Sequence, residues 1–415
     1  MKDATIALHY GYEKDKEKAM QVPIYMSTAY EYEDTDHAAR LFNLEEEGNI
    51  YTRIGNPTTR VFEKRIMALE RGVDALAVSS GMGAIYYSLA NLVKSGDNIV
   101  ISTKLYGGSI TLSTQTLKNF GIEARFFDPQ NPSSLEKVID KKTRAILFES
   151  IANPSLVVAD FDGIVKVADR FGVVTICDNT MATPYSVKPI ELGVDVVVHS
   201  ASKYIVGNGS AIGGVIVEGN GAKEKLENYA QFNSPDESYH GLVYLDKFDA
   251  PFIAKARLGL LRDFGAVLSP FNAWLFILGL ETLHLRIERH SSSALKIAKF
   301  LEGHKKVKKV NYPFLQSDEN YTLAKKYLKY GGGILSFELG SYEEAKEFVK
   351  KLKIFSLVTN IADSKSLITH PASTTHQQLS KEELKNAGVP EGLVRLSIGL
   401  EDVDDLIEDL REALK

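Results

Sequence analysis

The stretch IVKVADRFGVVTICDNTMATPYSVKPIELGVDVVVHSASK, residues 164–203, decides the fold. Ile164, Val165, Ala168 and Phe171 share one helical face, and Gly172 follows where a left-handed glycine ends a helix. Val173 to Cys177 is then a short apolar strand, and Val194 to Val198 is the next. Strands apolar on both faces, alternating with helices, form a mostly parallel sheet covered on both sides.

Outward from this segment the same rhythm continues. Ala75 to Ser79 reads as a strand, followed by a Ser80-Gly81-Met82-Gly83 turn and a helix through Leu92. Ile99 to Ser102, Ala145 to Phe148 (ending at Glu149) and Gly214 to Val217 supply further strands. Residues 61–262 are therefore predicted to form an α/β domain, whose ligands bind beyond the carboxyl ends of the strands. Residues 263–415 read as a smaller C-terminal α+β domain. It has a helical run at Leu295, Ala298 and Leu301, strands at Gly333 to Glu338 and Val394 to Ile398, and an amphipathic helix from Asp402 to Leu414. Residues 1–60 look irregular, with turn-formers at Gly48-Asn49 and Gly55-Asn56-Pro57, and are expected to pack on something larger, such as a neighbouring subunit.

Composition removes several classes of function. The 415 residues are 44% hydrophobic and 25% charged, as in a globular protein. A net charge of −5 and a pI near 6.1 give no reason to expect nucleic acid or an anionic membrane as partner. The basic run Lys305, Lys306, Lys308 and Lys309 reads as a solvated helix end or turn. Cys177 is the single cysteine, which suits a reducing compartment. The N-terminus lacks the apolar core of a secretory signal. The apolar stretch Ala273 to Leu280 is far shorter than the roughly 20 residues of a spanning helix. The expectation is a cytoplasmic protein.

Chemistry is sought at the strand ends. Lys203 lies just beyond strand 194–198, among small, hydroxylated and aromatic neighbours, and glycines 207, 209, 213 and 214 follow. A desolvated amine there suits Schiff-base chemistry. Asp178 ends the preceding strand; alone it reads as a helix cap, but paired with Lys203 it meets the need of pyridoxal phosphate for an acid at its ring nitrogen. Gly81 and Met82 open a helix after a strand, where free amides favour a phosphate, and Ser200 and Ser202 add hydroxyls. Tyr106 is a candidate to stack on the ring and Asn153 to bond its phenolic oxygen; their plainer readings are a half-buried aromatic and a turn residue before proline. In the strand Val394 to Ile398, Arg395 points away from the apolar face, either as a clamp for an α-carboxylate or as half of an ion pair. His199, His370 and His376 are read as structural.

The run Asp195 to Gly209, DVVVHSASKYIVGNG, resembles the lysine signature of the Cys/Met-metabolism (cystathionine-synthase-like) pyridoxal-phosphate enzymes. Ser202 stands where that family usually has threonine, and Asn208 where it has histidine or glutamine. Tyr51-Thr52-Arg53-Ile54-Gly55-Asn56-Pro57-Thr58 resembles its N-terminal motif. The resemblance implies an aspartate-aminotransferase-like fold (PLP fold type I), with Tyr51 and Arg53 reaching a neighbouring subunit's phosphate in a dimer, commonly doubled to a tetramer. Ser238 to Gly241, Ala254 to His290 and His370 to His376 are most similar to the O-acetylhomoserine sulfhydrylase branch. Asn360 stands where lyases of the family more often have serine near the substrate carboxylate. Gly108 stands where methionine γ-lyases carry cysteine.

What this branch implies is γ-replacement in methionine biosynthesis: O-acetylhomoserine and sulfide, or a carrier protein's thiocarboxylate, give homocysteine and acetate. Lys203 is then the base, and Tyr106 or Tyr51 assists the leaving acetate. Methionine γ-lyase and cystathionine γ-synthase activity are the near alternatives. A dinucleotide oxidoreductase is remote because Ile212 breaks the GxGxxG pattern after Gly207 and Gly209. A non-catalytic relative would be expected to have lost Lys203 or Asp178.

Overall fold

The computed structural model describes residues 1–14, 16–374, 377 and 389–415. Its larger sheet has seven strands: β1 (Asp74–Val78), β2 (Asn98–Ser102), β3 (Glu123–Phe127), β4 (Thr143–Glu149), β5 (Val174–Asp178), β6 (Val196–Ser200) and β7 (Gly214–Glu218). Their spatial order is β1-β7-β6-β5-β4-β2-β3, and only β7 runs antiparallel to its neighbours. The mostly parallel sheet expected from the sequence is present, and two separate apolar layers cover its faces.

Five helices matter for the site: α1 (Pro57–Glu70), α2 (Gly81–Ala90), α3 (Phe161–Phe171), α4 (Pro270–Glu302) and α5 (Val403–Ala413). Each begins or ends as its sequence dictates. Asn56 caps α1 through its side chain, with Pro57 in the first turn. Gly172 takes φ 63° at the end of α3, the left-handed conformation that favours glycine. The Ser80 hydroxyl accepts from the Gly83 amide at 3.0 Å and so caps α2, an interaction of about 1 kcal/mol.

A second sheet follows, with β8 (Lys309–Asn311), β9 (Ile334–Glu338), β10 (Ser356–Leu357), β11 (Leu367–Thr369) and β12 (Leu393–Ser397) in the order β10-β11-β12-β9-β8. Val394, Leu396 and Ile398 join its core with Leu406 and Leu410 of α5, which leaves Arg395 on the opposite face. The long α4 serves both cores. Phe276, Leu280 and Leu283 pack into the first, and Ala294, Ile297 and Leu301 into the second.

One expectation needs correction. Residues 1–60 are not wholly irregular: Asp3–His9 and Thr35–Phe42 are helical. Ile6 and Val22 pack the segment into the main core. The edge strand β3 was not foreseen, since EARFF mixes charge with a mostly exposed face. Lys305, Lys306 and Lys308 lie exposed between α4 and β8, and Lys309, also exposed, opens β8.

Candidate active site

The residues at the strand ends are linked, one contact after another, into a closed circuit. Lys203 lies in the turn after β6, where its amide donates to Ser200 O at 3.2 Å. Its amine donates to Asn360 Oδ1. The Asn360 carbonyl accepts from Arg395 Nη2 at 3.3 Å, and Thr369 Oγ1 accepts from the same nitrogen at 3.2 Å. Arg395 Nη1 donates to Asn153 Oδ1 at 3.0 Å. The Asn153 amide donates to Glu149 Oε2 at 2.8 Å, and the Tyr106 amide to Glu149 Oε1 at 2.6 Å. Glu149 sits beside Asp178 in the β4–β5 register. Asp178 Oδ1 accepts from the Thr180 amide at 2.9 Å, and Thr180 Oγ1 from the Ser200 amide at 2.8 Å, which returns to the lysine turn.

Electrostatics follow from this enclosure. Withdrawal from water lowers the proton affinity of Lys203, and the Arg395 charge lowers it further. Burial holds the Arg395 guanidinium down at about 10. Burial pushes the Glu149 carboxyl up, and Asp178 beside it pushes further. Burial likewise raises Asp178, opposed by the Thr180 hydrogen bonds and by His199. His199 Nε2 lies 2.6 Å from Glu70 Oε1, fully buried behind β5 and β6. His370 is bonded to Ser373 and the Glu391 carbonyl. These two histidines have the structural partners expected of them; His376 lies outside the described residues.

Beside Ser200, the start of α2 forms a cradle of free backbone amides. A Cβ on Gly81 would stand 2.6 Å from Ser200 Cβ, and one on Gly214 only 2.2 Å from Ser80 O. Two glycines thus let the start of α2 lie directly against β6 and β7. The amides of Gly81 and Met82, the first two of α2, have no hydrogen-bond acceptor among the described residues. Ser202 is less free, since its hydroxyl both accepts from the Gly213 amide at 3.0 Å and meets the Gly213 carbonyl at 3.2 Å. Tyr106 is half exposed at the mouth, and a Cβ on Gly108 would come within 2.6 Å of its ring and 3.3 Å of Met82 Sδ.

Lys203, Asp178, Asn153, Arg395, Asn360, Tyr106, Gly81, Met82, Ser200 and Ser202 therefore form one cluster at the strand ends. Tyr51 and Arg53 do not join it. Arg53 lies 5.1 Å over the Tyr51 ring, and neither forms a hydrogen bond or ion pair with the circuit among the described residues. Sequence reading passed over Glu149, Thr180 and Thr369. For Glu149 the signal was present, a carboxylate ending a strand as Asp178 does.

An amine of lowered basicity, a partly buried acid on the adjacent strand, a half-exposed phenol and a glycine-lined helix start fit the parts of pyridoxal phosphate. The fold and this donor set define a pyridoxal-phosphate enzyme of the aspartate-aminotransferase-like type. The chain belongs to the family of Cys/Met metabolism PLP-dependent enzymes, whose pattern it matches over residues 4–415. An O-acetyl-L-homoserine sulfhydrylase of Leptospira meyeri is 49% identical, covering 100% of this chain and 97% of that one. A homocysteine synthase of Schizosaccharomyces pombe is 44% identical over 99% of this chain and 97% of its own length. A crystal structure of a Campylobacter jejuni protein described as an O-acetylhomoserine (thiol)-lyase superposes with a TM-score of 0.97 at 50% identity, with both chains covered in full. In that protein the cofactor is present as a pyridoxyl-lysine phosphate.

Proposed function

We propose that the chain converts O-acetylhomoserine and sulfide into homocysteine and acetate, a γ-replacement in which the Cγ–O bond breaks and a Cγ–S bond forms. The observation that carries this reading is the circuit joining Lys203, Asn360, Arg395 and Asn153 at the strand ends of a chain similar throughout its length to sulfhydrylases.

Pyridoxal phosphate, when bound, withdraws electrons from the amino acid and makes its Cα and Cβ protons removable. The chain supplies the rest. Lys203 would hold the cofactor and, once released from it, take the proton from Cα at Nζ, give it up to the conjugated framework, and so be free to take one from Cβ; its lowered basicity favours the neutral form a base needs. Arg395 presents a planar fork to the α-carboxylate and so orients the Cα proton. Asn360 holds Lys203 Nζ and Arg395 Nη2 together, through its side chain and its backbone. Asp178 offers its carboxyl group to the ring nitrogen, Asn153 offers its side-chain amide to the phenolic oxygen, and Gly81, Met82, Ser200 and Ser202 receive the phosphate. The Tyr106 phenol, at the mouth, is placed to give a proton to the leaving acetate.

The near alternative is γ-elimination, as in methionine γ-lyases, which carry cysteine where Gly108 stands. Here a side chain at 108 would strike the Tyr106 ring, which supports the sulfhydrylase reading. Tyr51 and Arg53 complete a neighbouring subunit's phosphate site in an oligomer, most simply a dimer of dimers. That neither bonds to the circuit of its own chain among the described residues, and that Met20, Met26, Phe42 and Tyr51 are exposed, supports this. We assign residues 1–60 to this arm, 61–262 to the cofactor domain and 263–415 to the smaller domain. No helix among the described residues is long and apolar enough to cross a membrane, and a chain with one buried cysteine suits the cytoplasm. The sulfur donor is sulfide or a carrier's thiocarboxylate, either of which delivers the same atom.

The test is to incubate cofactor-loaded protein with O-acetylhomoserine, with and without sulfide. Homocysteine and acetate formed only with sulfide is the expected result. Rapid 2-oxobutyrate and ammonia regardless of sulfide would replace this reading with a γ-lyase.

A further inference from the structure

The reaction above gives no task to Glu149, Thr180 or Thr369, and of these three members of the circuit only Glu149 carries a carboxylate. It is only 6% exposed. Each of its carboxylate oxygens accepts from a different loop, Oε1 from the Tyr106 amide after β2 and Oε2 from the Asn153 amide after β4. No lysine or arginine forms an ion pair with it among the described residues, and its strand neighbour is another acid, Asp178. A buried carboxylate beside a second one is costly, and a fold that needed only a loop tie could use a neutral side chain.

We propose that Glu149 is a positioning residue whose carboxylate spans the two loops and fixes the Tyr106 ring and the Asn153 amide relative to each other. The proposal rests on the reading that the cofactor lies among Tyr106, Asn153 and Asp178. Tyr106 follows the residues of β2, and Asn153 those of β4; the sheet alone holds neither loop beyond its strand. Glu149 ends β4 and reaches both. Because Asn153 Oδ1 also accepts from Arg395, the same carboxylate indirectly sets the guanidinium that meets the substrate. One side chain thereby aligns the face of the cofactor with the clamp for the amino acid. Glutamine keeps the length but turns a donor toward one of the two amides, and aspartate keeps the charge but is a methylene too short to span both.

The experiment compares wild-type holoenzyme with Glu149→Gln and Glu149→Asp. Visible circular dichroism of the bound cofactor reports its setting in an asymmetric site, and amide hydrogen exchange reports the two loops. In both variants we expect the cofactor to load, as judged by absorbance, with its dichroic band reduced at least twofold. The amides of Tyr106 and Asn153 should exchange roughly tenfold faster, and kcat/KM should fall about tenfold to a hundredfold. Unchanged dichroism and exchange in a loaded variant would overturn the proposal while leaving the cofactor reading intact. A wild-type chain with no visible band would overturn that reading and this proposal with it. Should Glu149→Gln fail to fold, Glu149→Asp decides on the same readouts.

Discussion

Arg395 meets an asparagine, a threonine and a backbone carbonyl where a structural arginine usually meets a carboxylate. Three neutral acceptors hold the guanidinium in place without neutralising it, so its charge is kept for a ligand. A lysine at this position would bring the charge but not the planar fork. In Arg395→Lys we expect KM for O-acetylhomoserine to rise roughly tenfold or more, with a smaller change in kcat. Steady-state kinetics would show it, and an unchanged KM would remove Arg395 from substrate binding. Residues of this kind were legible in the sequence where their chemistry is unusual for their position. Lys203 stood out among small and hydroxylated neighbours, and Asp178 stood out at a strand end. Glu149 was equally visible, but its meaning depends on a register that places it beside Asp178 and on two loops about 45 residues apart, neither of which a linear pattern conveys.

The contact between α2 and the ends of β6 and β7 is set by absent side chains. Gly81 faces Ser200 and Gly214 faces the Ser80 carbonyl at distances that leave no room for a methyl group. The helix start can approach β6 only because of them, and this approach brings the Gly81 and Met82 amides to the cradle. In Gly81→Ala the helix must withdraw by several tenths of an ångström, and we expect cofactor affinity to weaken roughly tenfold or more. Equilibrium dialysis or the visible band at graded cofactor concentration measures this, and an unaltered affinity would place the phosphate elsewhere. At this scale the apolar strands and the ends of helices α1 and α3 could be read directly, because their signals are local. Strand β3 could not, since an edge strand half open to water carries no apolar run.

The complete molecule is built from two sheets and an N-terminal segment whose polar motif, Tyr51 with Arg53, makes no hydrogen bond or ion pair with the circuit among the described residues. The sequence suggested that this segment serves a neighbour; its buried anchors, Ile6 and Val22, became visible only once the chain was folded. Subunit mixing tests the arrangement. Lys203→Ala and Arg53→Ala chains, each inactive alone, should recover about a quarter of wild-type activity when assembled together, because a hybrid dimer contains one intact site. No recovery, with hybrids verified by mass, would mean that each arm serves its own chain.

The 33 residues of α4 form a rod ~50 Å long. Arg286 on it grips the Tyr204 carbonyl at 2.6 Å, one residue from Lys203, and a turn later His290 lies 2.6 Å from the carbonyl of Ile398, three residues from Arg395. The turn that carries Lys203 and the end of the strand that carries Arg395 are thus riveted to one shaft, a single helical turn apart.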